Sequence, residues 1–400
     1  MELKERVDTI VKRIQRYNIN WYEIIYLAMF AAYVLVEYIS STTLDYELIF
    51  DNYGLIIYDT LLALVIAGMA FGNDMTKGKA VFIGAVVGLS MYSTIYNGDA
   101  KVVDLVLFCI GARNVSFKKI AYVYLCVAVQ IQVLALVLSY MGITINYVYV
   151  QEGRGSRSSL GIGYPTDCAA HILIIVMVYV YLRWKKITYA ELVGIMALAV
   201  VVYKYTRARN NVLCIFILCI MVAAYKLLEH FKIRPEKLKI VKYMPYIMPV
   251  LAAIMIIMSL LYNEDSAIWN KINSLLSNRL IMGHKGFTEY GVSFYGQGIT
   301  ENGFGFGTIL TNREYFFLDS SYVSILIKKG VYIFALVMAA NIYIGKRLIK
   351  EKKQFGLIII TVLAISSFME HHLMELTYNP FILMTFSILA DSRKERSVTV

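Results

Sequence analysis

Residues 119–141 decide the fold: the stretch KIAYVYLCVAVQIQVLALVLSYM contains a single charged side chain, that of Lys119. A helix rises ~1.5 Å per residue, so a helix of this length covers the ~30 Å hydrocarbon core of a bilayer. Similar runs recur along the 400-residue chain, which is 59% hydrophobic and only 17% charged. A soluble chain carries about 25% charged residues, so this sequence predicts a polytopic membrane protein.

Twelve hydrophobic segments are predicted to cross the membrane as one all-α helical bundle, a single transmembrane domain that includes residues 1–400. Their approximate bounds are 21–39, 53–71, 80–96, 102–112, 119–141, 167–183, 188–205, 209–228, 243–262, 320–344, 355–374 and 377–391. The fourth segment is short and contains Asp104, which is typical of a re-entrant or incompletely spanning helix. The five cysteines show no C-x-x-C spacing, which favours neither a disulfide framework nor a zinc site.

The basic residues indicate how the bundle is oriented. A net charge of +11 could indicate a nucleic-acid partner, but most of the 39 Lys and Arg residues lie in alternate connections. Basic connections of this kind stay in the cytoplasm, so both termini are predicted to be cytoplasmic and no nucleic acid is expected as a partner. Residues 1–18 combine apolar residues at helical spacing with a basic face, which is typical of an amphipathic helix on the cytoplasmic leaflet. The long connections 142–166 and 263–319 are then external, and the second joins spans nine and ten.

Several arginines lie in connections that are predicted to be external, contrary to the preference of basic residues for the cytoplasmic side. Arg154 and Arg157 lie in the first long loop, and Arg207 and Arg209 lie between two closely spaced spans. They are either ordinary solvated loop charges or ligands for phosphate, which a guanidinium binds as a bidentate fork. Because Arg207 and Arg209 are next to the membrane boundary, their position favours a lipid-linked phosphate.

Residues 266–282 are predicted to form an amphipathic helix in the second long loop. Arg279 falls on its apolar stripe, which is formed by Ile268, Ile272, Leu275 and Met282. Arginine at such a position either extends to the surface along its alkyl chain or points into a buried polar site. Tyr290 and its aromatic neighbours further along either stack on sugar rings or anchor the loop at the membrane interface.

Acidic residues and histidines at the external ends of the last spans are candidate bases. Asp319 opens the tenth span, where a carboxylate is commonly a helix cap and no more. Glu370 and His371 begin the sequence EHHLME at the outer end of the eleventh span. Because H-x-x-x-H is absent and the two histidines are adjacent, no metal site is expected. The lysine pair at 328–329 is costly inside a span, which predicts that the helix breaks at Gly330.

Three segments resemble the Wzy-type polysaccharide polymerases, which join lipid-linked oligosaccharide repeat units. They are RGSRSSLGIGYPT (154–166), LLSNRLIMGHKGFTEYGVSFYGQG (275–298) and LDSSYVSILIKKGVYIF (318–334). The number of spans and the long external loop before the last three are also similar to that family. The sequence departs from the family pattern at Ser320, where Asn is usual, at Lys329, where Tyr is usual, and in the spacing of Arg279 from Gly291. The O-antigen ligases share the architecture but commonly carry His at the position of Asp319, which favours a polymerase.

The resemblance implies an inverting, metal-independent glycosyltransferase of the bacterial plasma (inner) membrane that uses no cofactor. Its substrate would be a polyprenyl-pyrophosphate-linked oligosaccharide in membrane lipid, and its protein partners a chain-length regulator and a flippase. Asp319 is the implied base, positioned by Tyr322. The implied phosphate ligands are Arg154, Arg157, Arg207, Arg209 and Arg279. The remaining implied substrate contacts, which include the second-choice bases, are Glu370, His371 and Tyr290.

A flippase or exporter of lipid-linked saccharides is the alternative from a different class. It would need polar residues in several spans around an inward-facing cavity, whereas charge within these spans is sparse and polar groups concentrate at one face. A lipid-binding scaffold is a third possibility, but it would need no set of external arginines. The sequence therefore favours a polymerase, with an O-antigen ligase-type transferase as its nearest rival in chemistry.

Overall fold

The computed structural model describes residues 20–44, 76–151, 155–184, 186–308 and 314–389. The predicted interfacial helix at 1–18 and the second predicted span at 53–71 lie outside these residues, as does Arg154. In chain order the helices and strands are α1 (Trp21–Ser40), α2 (Lys77–Asn97), α3 (Lys101–Gly111), α4 (Phe117–Tyr140), β1 (Val148–Gln151), β2 (Gly155–Ser158), α5 (Pro165–Arg183), α6 (Tyr189–Thr206), α7 (Arg209–His230), α8 (Ile247–Leu260), α9 (Ala267–Leu275), α10 (Arg279–Glu289), α11 (Ser321–Ser324), α12 (Gly330–Lys350) and α13 (Phe355–Ser367).

Among the described residues, seven helices are long and apolar enough to cross a membrane. They are α1, α2, α4, α5, α6, α7 and the interrupted helix Ser321–Lys350, which includes α11 and α12. This confirms a mostly helical, membrane-embedded protein, although the described residues do not reach the predicted twelve spans. α8 and α13 are shorter apolar helices, and α13 ends at Ser367 where the sequence predicted a span to residue 374.

α3 explains the short fourth segment. It has 11 residues, which correspond to about 16 Å of helix and cannot cross the hydrocarbon core. Nearly all of its side chains are buried against neighbouring helices, and the Tyr26 hydroxyl of α1 donates to the Phe108 carbonyl at 2.9 Å. The prediction of an incompletely spanning segment is therefore confirmed, and the segment lies inside the bundle.

One end of the bundle is defined by contacts to Glu370, and we call it the site end. The Asn211 side chain, in the first turn of α7, donates to the Glu370 carboxylate at 3.2 Å. The backbone N–H of Ser321, at the start of α11, donates to the Glu370 carbonyl at 2.9 Å. α4 begins and α12 finishes at the opposite end.

The last predicted span, 377–391, does not form an α-helix in its described part, and this prediction is wrong. From Glu370 the chain follows an irregular path that contains two short 3-10 helices, His372–Met374 and Pro380–Thr385. It reaches the opposite end of the bundle, where the Ile388 N–H donates to the Val115 carbonyl at 2.8 Å. The segment therefore crosses the bundle without forming a membrane-spanning helix.

Local chemistry explains why this crossing is irregular. Pro380 has no N–H to donate and disfavours helical backbone in the residue before it. That residue, Asn379, donates its side-chain amide to a backbone carbonyl. The Arg347 guanidinium donates to the carbonyls of Met384 and Thr385 at 2.9 and 3.2 Å. Irregular backbone at membrane depth is stable where protein encloses it and satisfies its polar groups.

The interrupted tenth segment confirms the predicted break at Gly330. A π-helical turn, Ile325–Lys329, precedes it, and Gly330 itself has a φ of +84°. A Cβ atom at this position would lie 2.4 Å from the backbone nitrogen of Gly296. Glycine therefore allows both the left-handed backbone and the close approach of the loop that contains Gly296.

Both long connections contain regular structure. Within 142–166, β1 and β2 form an antiparallel hairpin that pairs Val148 with Ser158, so the all-α prediction is wrong for this short segment. Within 263–319, α9 and α10 precede an irregular stretch that returns to Asp319. The two connections approach each other, since the Phe306 N–H donates to the Gly163 carbonyl at 2.9 Å.

Candidate active site

A cavity of about 210 Å³ opens at the site end, and we call it the arginine cavity. Its lining includes the Glu370 side chain and residues from α7, from the loop between α9 and α10, and from the hairpin. Four of the five arginines singled out in the sequence line it, namely Arg157, Arg207, Arg209 and Arg279. The fold thus brings together charges that are more than 100 residues apart in the chain.

The tight connection between α6 and α7 presents two of these arginines. Arg207 has a left-handed backbone (φ 52°) and ends α6, while α7 begins at Arg209. Both side chains are exposed, and the Arg207 guanidinium lies 5.6 Å from the ring centroid of Tyr203. Within the described parts of the chain, neither one forms an ion pair with a carboxylate, so both charges are available to an anion.

Arg157 has a different environment because it is almost fully buried, with 3% of its surface exposed. Its Nε atom donates to the carbonyl of Thr206 at 3.0 Å, and its guanidinium lies 5.4 Å from the ring centroid of Tyr164. The Thr206 carbonyl is at the C-terminus of α6, where the helix dipole favours positive charge. Arg157 therefore holds the α6–α7 connection against the hairpin while it lines the cavity.

Arg279 does not lie on a continuous helix, and the predicted helix 266–282 is wrong in this respect. The helix is interrupted at Ser277 and Asn278, which have φ angles of 51° and 68°. The Asn273 side-chain oxygen accepts from the N–H groups of Leu280 and Ile281 at 3.1 and 3.2 Å. It therefore caps α10, and Arg279 is the first residue of this second helix.

The Arg279 guanidinium joins three segments at the edge of the cavity. Its Nη2 atom lies 3.4 Å from Oδ2 of Asp319, its Nη1 donates to the Ser277 carbonyl at 2.8 Å, and its Nε donates to the Met369 carbonyl at 3.3 Å. The side chains of Arg279 and Asp319 are 14% and 20% exposed, respectively. This is the buried polar position that was one of the two predicted alternatives for Arg279.

Asp319 is not a helix cap, because the N-cap position of α11 is occupied by Ser320. The Ser320 side chain makes no capping hydrogen bond. Instead the Asp319 carboxylate faces Arg279. Burial raises the pKa of Asp319, and the nearby Arg279 opposes part of this rise, so the pKa stays above its usual value. The arginine favours the ionised carboxylate, whereas desolvation makes it a stronger base than a solvated aspartate.

Glu370 is the carboxylate in the lining of the arginine cavity, and only 5% of its surface is exposed. Its Oε1 atom accepts from the side-chain amides of Asn211 and Asn210, at 3.2 and 3.5 Å. Burial raises the pKa of Glu370 to about 7, although Arg279 opposes the rise. The two asparagines follow the arginines directly in the sequence RARNN, and this proximity was the only signal that could have identified them.

His371, His372 and Glu375 place possible metal-ligand atoms within 4.8 Å of one another, although the sequence predicted no metal site. The two ring nitrogens of His372 already face carboxylates, with Asp167 at 3.4 Å and Glu375 at 3.3 Å. Burial lowers the pKa of His372, but the carboxylates of Glu375 and Asp167 raise it by more than burial lowers it. The net result is a pKa of about 10. Lys101 lies 3.8 Å from Glu375 as well, so this donor set fits an ion-paired imidazolium better than a metal ion.

Four described site residues predicted from the sequence do not line the arginine cavity: Asp319, His371, Tyr322 and Tyr290. Asp319 is connected to it through Arg279. The Tyr322 hydroxyl is fully buried and donates to the Ala364 carbonyl at 2.6 Å, so it attaches α11 to α13 and does not position Asp319. Tyr290 follows α10 and stacks on Phe316 with ring centroids 5.7 Å apart. It is about 16 Å of helix away from Arg279 and does not line the arginine cavity.

Comparison with known protein families, with functionally characterised proteins and with solved structures finds no match to this chain.

Proposed function

We propose that the protein is a polysaccharide polymerase, which transfers a growing glycan from polyprenyl pyrophosphate onto a new lipid-linked repeat unit. The observation that carries the proposal is the arginine cavity. Four guanidinium groups gather there at one end of an apolar bundle, with Glu370 in the lining and Asp319 paired to Arg279. A pyrophosphate at the membrane surface, with a sugar attached, has the charge and the position that this arrangement accommodates.

The arrangement supports a direct displacement. An acceptor hydroxyl oxygen forms a bond to the anomeric carbon of the donor glycan and gives its proton to the Asp319 carboxylate. The bond between that carbon and the pyrophosphate oxygen breaks, and its electron pair leaves with the pyrophosphate. Arg207, Arg209 and Arg279 stabilise the developing negative charge. A single displacement of this kind inverts the anomeric configuration.

The proposal places the site end on the external face of the bacterial plasma membrane, with both termini cytoplasmic. A flippase would deliver the lipid-linked substrate to this face, and a chain-length regulator would limit the product. Arg209 is the first residue of α7, a helix long and apolar enough to cross a membrane, and Arg207 lies two residues before it. In this orientation both are at the level of the lipid phosphates. No cofactor or metal takes part in the proposed step.

Reconstitution tests the function. Purified protein in liposomes, given one lipid-linked repeat unit, is expected to produce a ladder of longer lipid-linked glycans, whereas protein-free liposomes should produce none. Redistribution of the substrate between leaflets without new products would refute the polymerase and indicate a flippase. Transfer of a single glycan to a different lipid acceptor, without a ladder, would indicate a ligase-type transferase.

Thiol labelling tests the orientation. Cysteine introduced at Ser274 or Thr300 is expected to react in intact cells with a membrane-impermeant reagent, and cysteine at Thr188 only after lysis. All three positions are exposed, so a lack of reaction reflects the side of the membrane. Because Cys126 is also exposed, the native cysteines are replaced by serine first. Labelling of Thr188→Cys alone from outside would place the arginine cavity in the cytoplasm and contradict the proposal.

A further inference from the structure

A second cavity, of about 340 Å³, lies beside the arginine cavity and has no role in the step proposed above. We call it the lysine cavity. Its charged lining residues are Asp99, Lys101, Lys328, Lys329 and Glu375, and its ring-bearing residues are Phe317 and His371. Its volume is within the range of about 300–1,000 Å³ that is usual for small-molecule sites.

The linings of the two cavities come close together in the chain near the proposed base, although Asp319 itself lines neither cavity. Glu370 lines the arginine cavity, and the next residue, His371, lines the lysine cavity. Phe317 lines the lysine cavity and is two residues before Asp319, which is paired with Arg279 on the arginine side. A ligand in the lysine cavity is therefore next to the segments that hold both carboxylates.

The charges of the lysine cavity are compensated, unlike those of Arg207 and Arg209. Lys329 is paired with Asp99, and Lys328 with Glu301. Lys101 lies 3.3 Å from a carboxylate oxygen of Glu37 and 3.8 Å from one of Glu375. Because each ammonium group already has a carboxylate partner, the cavity offers both hydrogen-bond donors and acceptors but no free positive charge. Such a lining suits hydroxyl groups, which donate and accept, better than it suits a phosphate.

The rings add an apolar corner to this polar cavity. Phe317 and His371 meet edge to face, with centroids 4.9 Å apart and ring planes at 79°. The C–H face of a pyranose ring packs on such an aromatic surface, while its hydroxyl groups reach the polar groups around it. Pockets that combine aromatic walls with a few polar groups are typical of small-molecule sites.

We propose that the lysine cavity binds the non-reducing-end sugar of the acceptor, as a neutral saccharide recognised without its lipid or its pyrophosphate. This inference rests on the proposed transferase function and assigns the arginine cavity to the donor. The acceptor hydroxyl then enters from the lysine cavity and meets the donor carbon beside Asp319, which is paired with Arg279 of the arginine cavity.

A soluble acceptor tests this assignment. The probe is the oligosaccharide released from the lipid-linked repeat by mild acid and tagged with a fluorophore at its reducing end. With untagged lipid-linked donor, wild-type protein is expected to extend the tagged probe. Phe317→Ala should raise the half-saturating probe concentration at least tenfold, with donor concentration dependence unchanged. The matched control is Phe231→Ala, because Phe231 is 64% exposed and begins the segment after α7, at the opposite end.

The possible outcomes separate the two proposals. If wild-type protein makes no glycan ladder from the lipid-linked repeat, the transferase function itself fails. If it makes the ladder but does not extend the probe, or if Phe317→Ala has the half-saturating probe concentration of wild type, the acceptor site is refuted. Phe317→Leu keeps apolar volume but removes the ring face, so it provides the same test should the alanine variant fail to fold. It too is expected to raise the half-saturating concentration.

Discussion

Replacement of Asp319 by asparagine is expected to lower the initial rate of polymer synthesis by a factor on the order of 10²–10⁴, which is the contribution of a positioned general base. The amide has nearly the shape of the carboxylate, and its oxygen can still accept from Arg279, but it cannot take the proton of the acceptor hydroxyl. Ser320 occupies the N-cap of α11, so the start of that helix does not depend on the substituted side chain. Asp319→Glu should keep partial activity, because its carboxylate is displaced.

The measurement is the initial rate in proteoliposomes, normalised to inserted protein, together with the thermal unfolding midpoint in detergent. Asp265→Asn is the matched control, since Asp265 is an exposed acid in the same long connection and should give the wild-type rate. A wild-type rate for Asp319→Asn, with an unchanged unfolding midpoint, would remove Asp319 from the mechanism. Glu370, with its pKa of about 7, would then be the base to test.

Replacement of Arg279 by lysine is expected to lower the rate by about 10²–10³-fold, the usual effect of losing one preorganised donor to a developing anion. The positive charge is retained, but an ammonium group cannot reproduce the planar fork of guanidinium. In this structure the fork contacts Asp319, the Ser277 carbonyl and the Met369 carbonyl together. Arg207→Lys should also lose most activity, because that exposed guanidinium is available for pyrophosphate.

Arg183→Lys provides the control for the same chemical change. Arg183 is at the opposite end of α5 from the site end, and its guanidinium pairs with Glu191 at 2.9 Å. This variant should polymerise at the wild-type rate. If Arg279→Lys and Arg207→Lys do so as well, at equal abundance in the membrane, the arginines act as point charges and the proposed bidentate recognition of phosphate is wrong.

Long apolar runs could be assigned from the sequence because each one satisfies its own backbone. The fifth predicted segment, 119–141, corresponds to α4 at Phe117–Tyr140, and the eighth, 209–228, corresponds to α7 at Arg209–His230. In both, the N–H and carbonyl groups bond within the segment, so composition and length are sufficient. The break at Gly330 could also be predicted, because two lysines at that depth require a departure from regular helix.

The wrong predictions are at places where one particular polar side chain, near or far in the chain, decides the local backbone. The segment 377–391 has the composition of a span, but two of its carbonyls, those of Met384 and Thr385, accept hydrogen bonds from Arg347, about forty residues earlier. The helix predicted at 266–282 is interrupted because the Asn273 side chain caps a new helix. A local pattern of apolar residues contains no information about such partners.

The candidate site also contains some residues that could be predicted from the sequence and others that could not. The arginines of the site could be identified by type, since guanidinium groups in connections that are predicted to be external oppose the orientation bias. The other polar residues of the site could not be identified in this way. Asn211 donates to Glu370, which is 159 positions away in the chain, and a neutral amide does not stand out in an analysis of charge. Likewise, the pairing of His372 with Asp167 depends on how α5 packs against the segment after α13.

The irregular crossing by residues 377–389 has a consequence for how the protein is made. The ribosome adds this segment after α1 to α13, so the helices that surround the crossing are synthesised before it. Glu370 and His371 belong to the same stretch, which is anchored at its far end where Ile388 bonds to Val115. Residues 377–389 line neither cavity, but they anchor the stretch whose first residues, Glu370 and His371, do. A nascent chain that stops short of this crossing therefore contains Arg207 and Arg209 but lacks the contact that anchors the stretch with Glu370 and His371.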